Sequence, residues 1–301
     1  MSEELYEILK EKQGLDRNLY QNFNKKEQER RVAYHYEVDA NFFKILTGGE
    51  WNVYSSPMGS SEFSLNDAQE RKLDEFAKLM KLKPGMTILE VGCGWGGPLV
   101  YLCHKYHVKG VGITLSEKAI PVATQRAKDY GVDAQFFVKN WQDLDNDNKF
   151  DAIYTDEVIV HFSDLQGFFN KAKTILNPEG ILVNKELHFK HSIHKHSMDN
   201  LSAHINRMYG YSGNYRTLLD ELSMIDHAGF QLEKIIDIPI EDYRYAIENH
   251  WIKNINRNKK HLEELTSKRH VYDIKLYLKG INKIFLADVF GLHIVAVKPN
   301  F

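Results

Sequence analysis

The chain has 301 residues, 43% hydrophobic and 27% charged, a balance that excludes a disordered or collagenous polypeptide and suffices for a sizeable buried core. Its formal charge of -2 excludes a general nucleic-acid surface, and its two cysteines, Cys93 and Cys103, make neither a disulfide framework nor a zinc spacing. No apolar run reaches the roughly 18 residues that span a bilayer, and the polar start Met1-Ser2-Glu3-Glu4 lacks the basic and apolar regions of a signal peptide, so a cytoplasmic location is expected.

In chain order, residues 1–33 are strongly charged and read as exposed helix. Tyr34-His35-Tyr36 then opens an aromatic stretch through Phe42, Phe43, Trp51 and Tyr54 that is too dense for a linker. Residues 1–66 are therefore expected to form a helical segment packed over something, a lid. The spacing predicts a helix over 67–80, with Leu73, Phe76, Ala77 and Met80 on one face, stopped by Pro84-Gly85. From there strand and helix alternate. Strands are expected at 86–91, 108–114, 134–138, 150–154 and 180–184, with helices at 98–106, 116–130 and 165–176 between them. A helix at 214–228 and strands at 231–238 and 293–297 complete the pattern. Such alternation implies a doubly wound, Rossmann-like α/β domain over 67–301, with a mostly parallel seven-stranded sheet covered on both faces. Residues 189–215 and 241–288 interrupt the rhythm and are expected to be cap segments. The run His188, His191, His194, His196 is interleaved with Lys190 and Lys195 and completes no metal site, so a solvated loop is expected there.

The first strand ends in Glu90-Val91-Gly92-Cys93-Gly94-Trp95-Gly96-Gly97, and the turn leads into a helix. Glycines at this place let the backbone come close to a ligand at the carboxyl edge of the sheet. A dinucleotide is one candidate for such a turn. Dinucleotide binders put an acidic residue after the second strand, whereas this strand ends in Gly112-Ile113-Thr114-Leu115-Ser116. After the third strand comes Asn140-Trp141-Gln142, and the indole of Trp141 either covers an adenine face or joins the core.

The pieces "YHYEVDANFF", "VYSS", "LKPGMTILEVGCGWGG", "VKGVGITLSE" and "NWQDL" together make residues 34–190 resemble the S-adenosylmethionine-dependent family of cyclopropane fatty acid synthases and mycolic acid methyltransferases. The resemblance implies a class I methyltransferase fold and S-adenosylmethionine as methyl donor. It further implies cofactor contacts from Tyr54, Ser55, Gly92, Gly94, Gly96, Thr114, Trp141 and Gln142. Where the family has a glutamine shortly after "TLS", this chain has Ala119.

Cyclopropane synthases resemble one another in a bicarbonate site, and three of its positions differ here. Ser56 replaces the cysteine, Val160 stands before His161 in place of the glutamate, and Lys185 replaces a histidine. The carboxylates are instead Glu157, four residues before His161, and Glu186, an arrangement similar to sterol and isoprenoid C-methyltransferases. An alkene that attacks a methyl sulfonium leaves a carbocation, which needs negative charge or aromatic faces and then a base. Glu157, Glu186, His161 and Tyr36 are the candidate catalytic residues, with Tyr34, Phe42, Phe43, Trp51 and the aromatics of 209–215 as candidate walls. Contact with the cofactor is the alternative for Glu157, and an ion pair with Lys185 or Arg207 the alternative for Glu186. His161 serves either as a base or as a hydrogen-bonded structural histidine. The expected acceptor is a small apolar, isoprenoid-like molecule, with N- or O-methylation of another small molecule as the second reading. Peripheral membrane contact fits such an acceptor, and magnesium would enter only with a diphosphate. The chain carries no signal of oligomeric state.

Overall fold

The structure, a computed structural model, describes residues 24–36, 38–192 and 214–300. The expected exposed helix before residue 24, the greater part of the 189–215 cap, and His194, His196 and Arg207 lie outside the described residues. So do the side chains of Tyr34 and His35.

Two helices, α1 (Lys25–Tyr36) and α2 (Ala40–Thr47), come first, and the Asp39 side chain caps the second by accepting from Asn41 N at 2.8 Å. Next, α3 (Leu65–Leu79) is capped by Ser64 and buries Leu73, Phe76 and Ala77, the face its periodicity predicts. That face also buries Lys72 completely. The alternating core then runs β1 (Thr87–Val91), α4 (Gly97–Tyr106), β2 (Lys109–Thr114), α5 (Ala119–Tyr130), β3 (Ala134–Val138), β4 (Phe150–Asp156), α6 (Leu165–Ile175) and β5 (Leu176–Phe189). A two-residue strand β6 (Arg216–Thr217) pairs with the end of β5, where a helix had been expected. The Arg216 guanidinium, buried, donates there to the carbonyls of Phe162 (2.7 Å) and Asn214 (2.9 Å). α7 (Leu218–His227) follows, opened by a Thr217–Asp220 capping box.

After β7 (Phe230–Ile238) the expected helical insertion consists of α8 (Ile240–Ala246), a π-helical turn (Ile247–Trp251), α9 (Ile252–Arg257), α10 (Lys259–Leu265) and α11 (Lys268–Leu286). β8 (Phe290–Pro299) closes the chain.

The sheet order is β3-β2-β1-β4-β5-β8-β7, with β6 beside β5. β1 to β5 pair in parallel, while β8 runs antiparallel to both β5 and β7. The order reverses between β1 and β4, the place where doubly wound sheets bind ligands at their carboxyl ends.

β5 is longer than expected. It continues past Asn184 through Lys185, Glu186 and His188 to Phe189, and all of these are buried. His188 is thus a core strand residue rather than part of a solvated loop, because Glu221 and His293 supply partners for its ring nitrogens. His191, by contrast, is exposed.

The N-terminal helices dock through aromatic contacts. Phe43 stacks near Trp95 and Tyr54 at centroid distances of 4.6 and 4.9 Å, and Tyr54 meets Trp251 of the insertion at 5.3 Å. Each such fully buried ring contributes roughly 2–3 kcal/mol as an upper estimate. Backbone contact adds to this. A Cβ on Gly97 would lie 1.6 Å from the Trp51 carbonyl oxygen, so only glycine lets the N-terminal segment sit on the start of α4.

Candidate active site

At the carboxyl edge of β1, β2 and β4 lies a cavity of about 1130 Å³, its open mouth included. Tyr54, Ser55, Gly92, Gly94, Thr114 and Trp141, six of the eight expected cofactor contacts, line it together with Ala119. Gly96 and Gln142 do not. A Cβ at Gly96 would meet Ala123 at 2.7 Å and Phe136 at 2.9 Å, so this glycine serves the packing of helix on sheet. Gln142 lies in a 3-10 turn after β3 whose first residue, Trp141, presents itself to the cavity instead.

The chemistry of the walls fits the cationic donor that the glycine turn suggests. Gly94 faces the cavity, and a Cβ there would meet no protein atom within 4 Å. Glu90, on the wall, keeps one buried carboxylate oxygen without a hydrogen-bond partner among the described residues. Burial pushes its carboxyl up to about 8. Glu90, Asp156 and Glu157 all face the same space, where an entering ammonium group, such as that of an amino acid moiety, finds hydrogen-bond acceptors already in place.

Beneath the wall is a charge cluster that local sequence patterns do not disclose. Lys72 donates to Ser55 Oγ at 2.6 Å and pairs with Asp156, and Lys185 donates to Asp156 at 3.0 Å and pairs with Glu157. Both ammonium groups are fully buried. Burial pushes the Asp156 carboxyl upward, but Lys185 and Lys72 outweigh it and hold the group at about 2. Lys72 is lowered, burial being the largest cause; Lys185 is raised, because Asp156 and Glu157 overcome its burial. Glu157 itself sits at φ +57°, an uncommon region for a side-chain-bearing residue. It is pinned there by its own N–H to the Lys185 carbonyl (2.7 Å) and by Ser56 N to its Oε1 (2.8 Å).

A second cavity of about 690 Å³ adjoins the first, and Tyr36, Tyr54, Glu157 and His161 line both. Its remaining walls are Glu186 and Leu187 on β5, Val160, Tyr215, and Tyr243, Ile247, Trp251, Tyr277, Leu278 and Ile281 from the insertion. All four candidate catalytic residues therefore meet here. Arg207 lies outside the described residues, and among these Glu186 makes no ion pair. Its two oxygens accept from Val160 N (3.0 Å) and Leu187 N (2.9 Å), yet burial first and the Glu157 charge second raise it to about 8. His161, pushed down to about 4 by burial, is neutral near pH 7, with the Tyr36 hydroxyl 3.5 Å from its Nε2.

Three expected wall residues are core instead. Phe42 and Phe43 pack against each other, and Trp51 packs on Tyr101 and Tyr130. Tyr209 and Tyr211 lie outside the described residues, and Tyr215 does line the cavity. Lys72, Asp156 and the insertion aromatics were not singled out from the sequence; the only signal was a lysine on an otherwise apolar helix face.

A doubly wound sheet of this order with a glycine turn and a cavity at its reversal point is the architecture of S-adenosylmethionine-dependent methyltransferases. The chain belongs to the mycolic acid cyclopropane synthetase family, which it matches over residues 23–295. It is 27% identical over 280 residues, 89% of its length, to a probable fatty acid methyltransferase of Pseudomonas putida. Over 150 residues, 48% of the chain, it is 38% identical to phosphoethanolamine N-methyltransferase 1 of Arabidopsis thaliana. The chain spans 69% of the former protein's length and 30% of the latter's. Among solved structures, the cyclopropane synthase MmaA2 of Mycobacterium tuberculosis superimposes with a TM-score of 0.82 at 21% identity, covering 90% of this chain and 98% of that one. S-adenosylmethionine is accordingly the cofactor. No helix of the described residues is long and apolar enough to cross a membrane.

Proposed function

We propose that this protein methylates an alkene carbon of an apolar, isoprenoid-like lipid through a carbocation, and that Glu186 takes the proton that ends the reaction. The observation that carries this reading is a buried carboxylate, raised by its burial, in an aromatic chamber that adjoins the cavity of the glycine turn. The likeness to a probable fatty acid methyltransferase supports a lipid acceptor.

In this reading Gly92, Gly94, Thr114 and Trp141 seat the donor, and Tyr54 and Ser55 close over it. The alkene π pair bonds the methyl carbon while the S–C pair returns to sulfur. Positive charge then sits on the neighbouring carbon, facing Tyr36, Tyr243, Trp251 and the Glu157 carboxylate, whose aromatic faces and negative charge stabilise it. Glu186 removes a proton, and the C–H pair becomes a new double bond. At about 8 the free carboxyl is largely protonated at neutral pH, and the arriving sulfonium favours its ionised form. N-methylation is the second reading, favoured by the likeness to the phosphoethanolamine enzyme, since the same chamber also suits an ammonium.

Donor carrying a trideuterated methyl, offered with allylic isoprenoid alcohols and diphosphates, unsaturated phospholipid vesicles and phosphoethanolamine, separates the possibilities by mass spectrometry. Three deuteriums on a carbon are expected. Two on carbon would mean closure to a cyclopropane, and label on nitrogen would mean amine transfer; either would overturn the proposal.

A further inference from the structure

The proton that Glu186 takes up has to leave a carboxyl group that is only 4% exposed. Ionisable side chains lead away from it on the same face of the sheet. Glu186 on β5 is the register partner of His293 on β8, and His293 is in turn the register partner of Asp237 on β7, the outermost strand. Register partners share a face, with Cβ atoms roughly 4.5–5.5 Å apart, so the three form one row from the acceptor cavity to the sheet edge. Exposure rises outward, from 17% for the His293 side chain to 84% for that of Asp237.

Behind this row is a hydrogen-bonded wire. Glu221 on α7 is fully buried and close enough that its charge helps to raise Glu186. One of its oxygens accepts from Asn184 Nδ2 at 2.7 Å, and the other meets His188 Nε2. His188 Nδ1 lies 3.1 Å from His293 Nδ1, and His293 Nε2 lies 3.8 Å from Asp237. Two ring nitrogens at 3.1 Å must share one proton, one donating and the other accepting. Each imidazole thus has one nitrogen facing inward and one facing outward along the wire, the arrangement that passes a proton on.

Resting on the assignment of Glu186 as proton acceptor, we propose that Glu221, His188 and His293 form a relay that returns its proton to solvent at Asp237. The proton passes from Glu186 to Glu221, which Asn184 holds on the same face of β5 two residues away, enters His188 at Nε2, crosses from Nδ1 to Nδ1, and leaves His293 from Nε2. No electrons move, and the relay resets when the imidazoles return to their starting tautomers. The groups around His293 are His188 on β5, Lys190 just past its end, Asp237 on β7 and Glu221 on α7. Burial first and His188 second hold His293 at about 4, so it carries the proton only in passing.

The test compares His293→Ala and His293→Gln with the parent enzyme in weakly buffered solution. Both should lose about tenfold or more in kcat, with donor Kd and acceptor KM unchanged, and added imidazole should restore His293→Ala in a saturable way. Glutamine can hydrogen-bond but cannot relay, so parent-like turnover of His293→Gln would make His293 structural and overturn the relay. A loss in His293→Ala that imidazole does not touch would overturn it as well. Should neither variant fold, His188→Gln decides in the same assay: a loss of about tenfold in kcat at unchanged acceptor KM supports the relay, and parent-like turnover refutes it. The deuterated-donor products of the same samples report separately on the reaction, because label on nitrogen sinks the proposed function whereas parent-like His293→Gln sinks only the relay.

Discussion

Glu186→Gln tests whether burial governs the active-site carboxylate. In the folded protein this group rises from 4.5 to about 8. At 1.36 kcal/mol per unit, keeping it ionised costs about 5 kcal/mol. The sign follows from proton binding: the native state holds the proton more tightly than the unfolded chain. No penalty exists below 4.5, it accumulates as pH rises from there to about 8, and it is complete above. Glutamine escapes the penalty but presents an amide N–H to one of the two backbone donors, Val160 N or Leu187 N, at a cost of about 1–3 kcal/mol. Urea denaturation at pH 5 and pH 9 should therefore show the stability difference moving by about 4 kcal/mol in favour of the variant, from mild destabilisation to net stabilisation. Turnover should fall by at least about a hundredfold at both pH values, as for loss of a general base. A stability difference that stays constant within about 1 kcal/mol would refute the claim that Glu186 is a desolvated acid.

Lys185→Met leaves Asp156 and Glu157 with Lys72 as their remaining buried cation. Thermal melting should report a loss of about 3–5 kcal/mol, on the order of 10 °C. Asp156, lowered in the fold from 3.8 to about 2, contributes stability that is present above 3.8 and lost as pH falls through about 2, so the variant's deficit should shrink in strong acid. Gly97→Ala drives a methyl group into the Trp51 carbonyl and should weaken donor binding more than tenfold by calorimetry, since the displaced segment carries Tyr54 and Ser55.

What could be read from the chain alone was what repeats locally. The strand–helix alternation, the helix face of Leu73 and Phe76, and the turn at Gly92 and Gly94 are short-range patterns, and the last of these lines the first cavity. The rest depends on partners distant in sequence. Lys72 looks like a surface lysine until Asp156, 84 residues on, meets it. β5 seems to end at Asn184 because its apolar run ends there; Lys185, Glu186 and His188 continue the strand because Asp156, Val160 N and Glu221 satisfy them. Phe42, Phe43 and Trp51 have the composition of a cavity wall, but Trp95, Tyr101 and Tyr130 draw them into the core.

The two chambers take their walls from different parts of the chain. Residues of the insertion between β7 and β8 line much of the second cavity and, among the described residues, none of the first. If the proposed reading holds, exchanging that stretch would alter which acceptor is taken while leaving the walls around the glycine turn as they are.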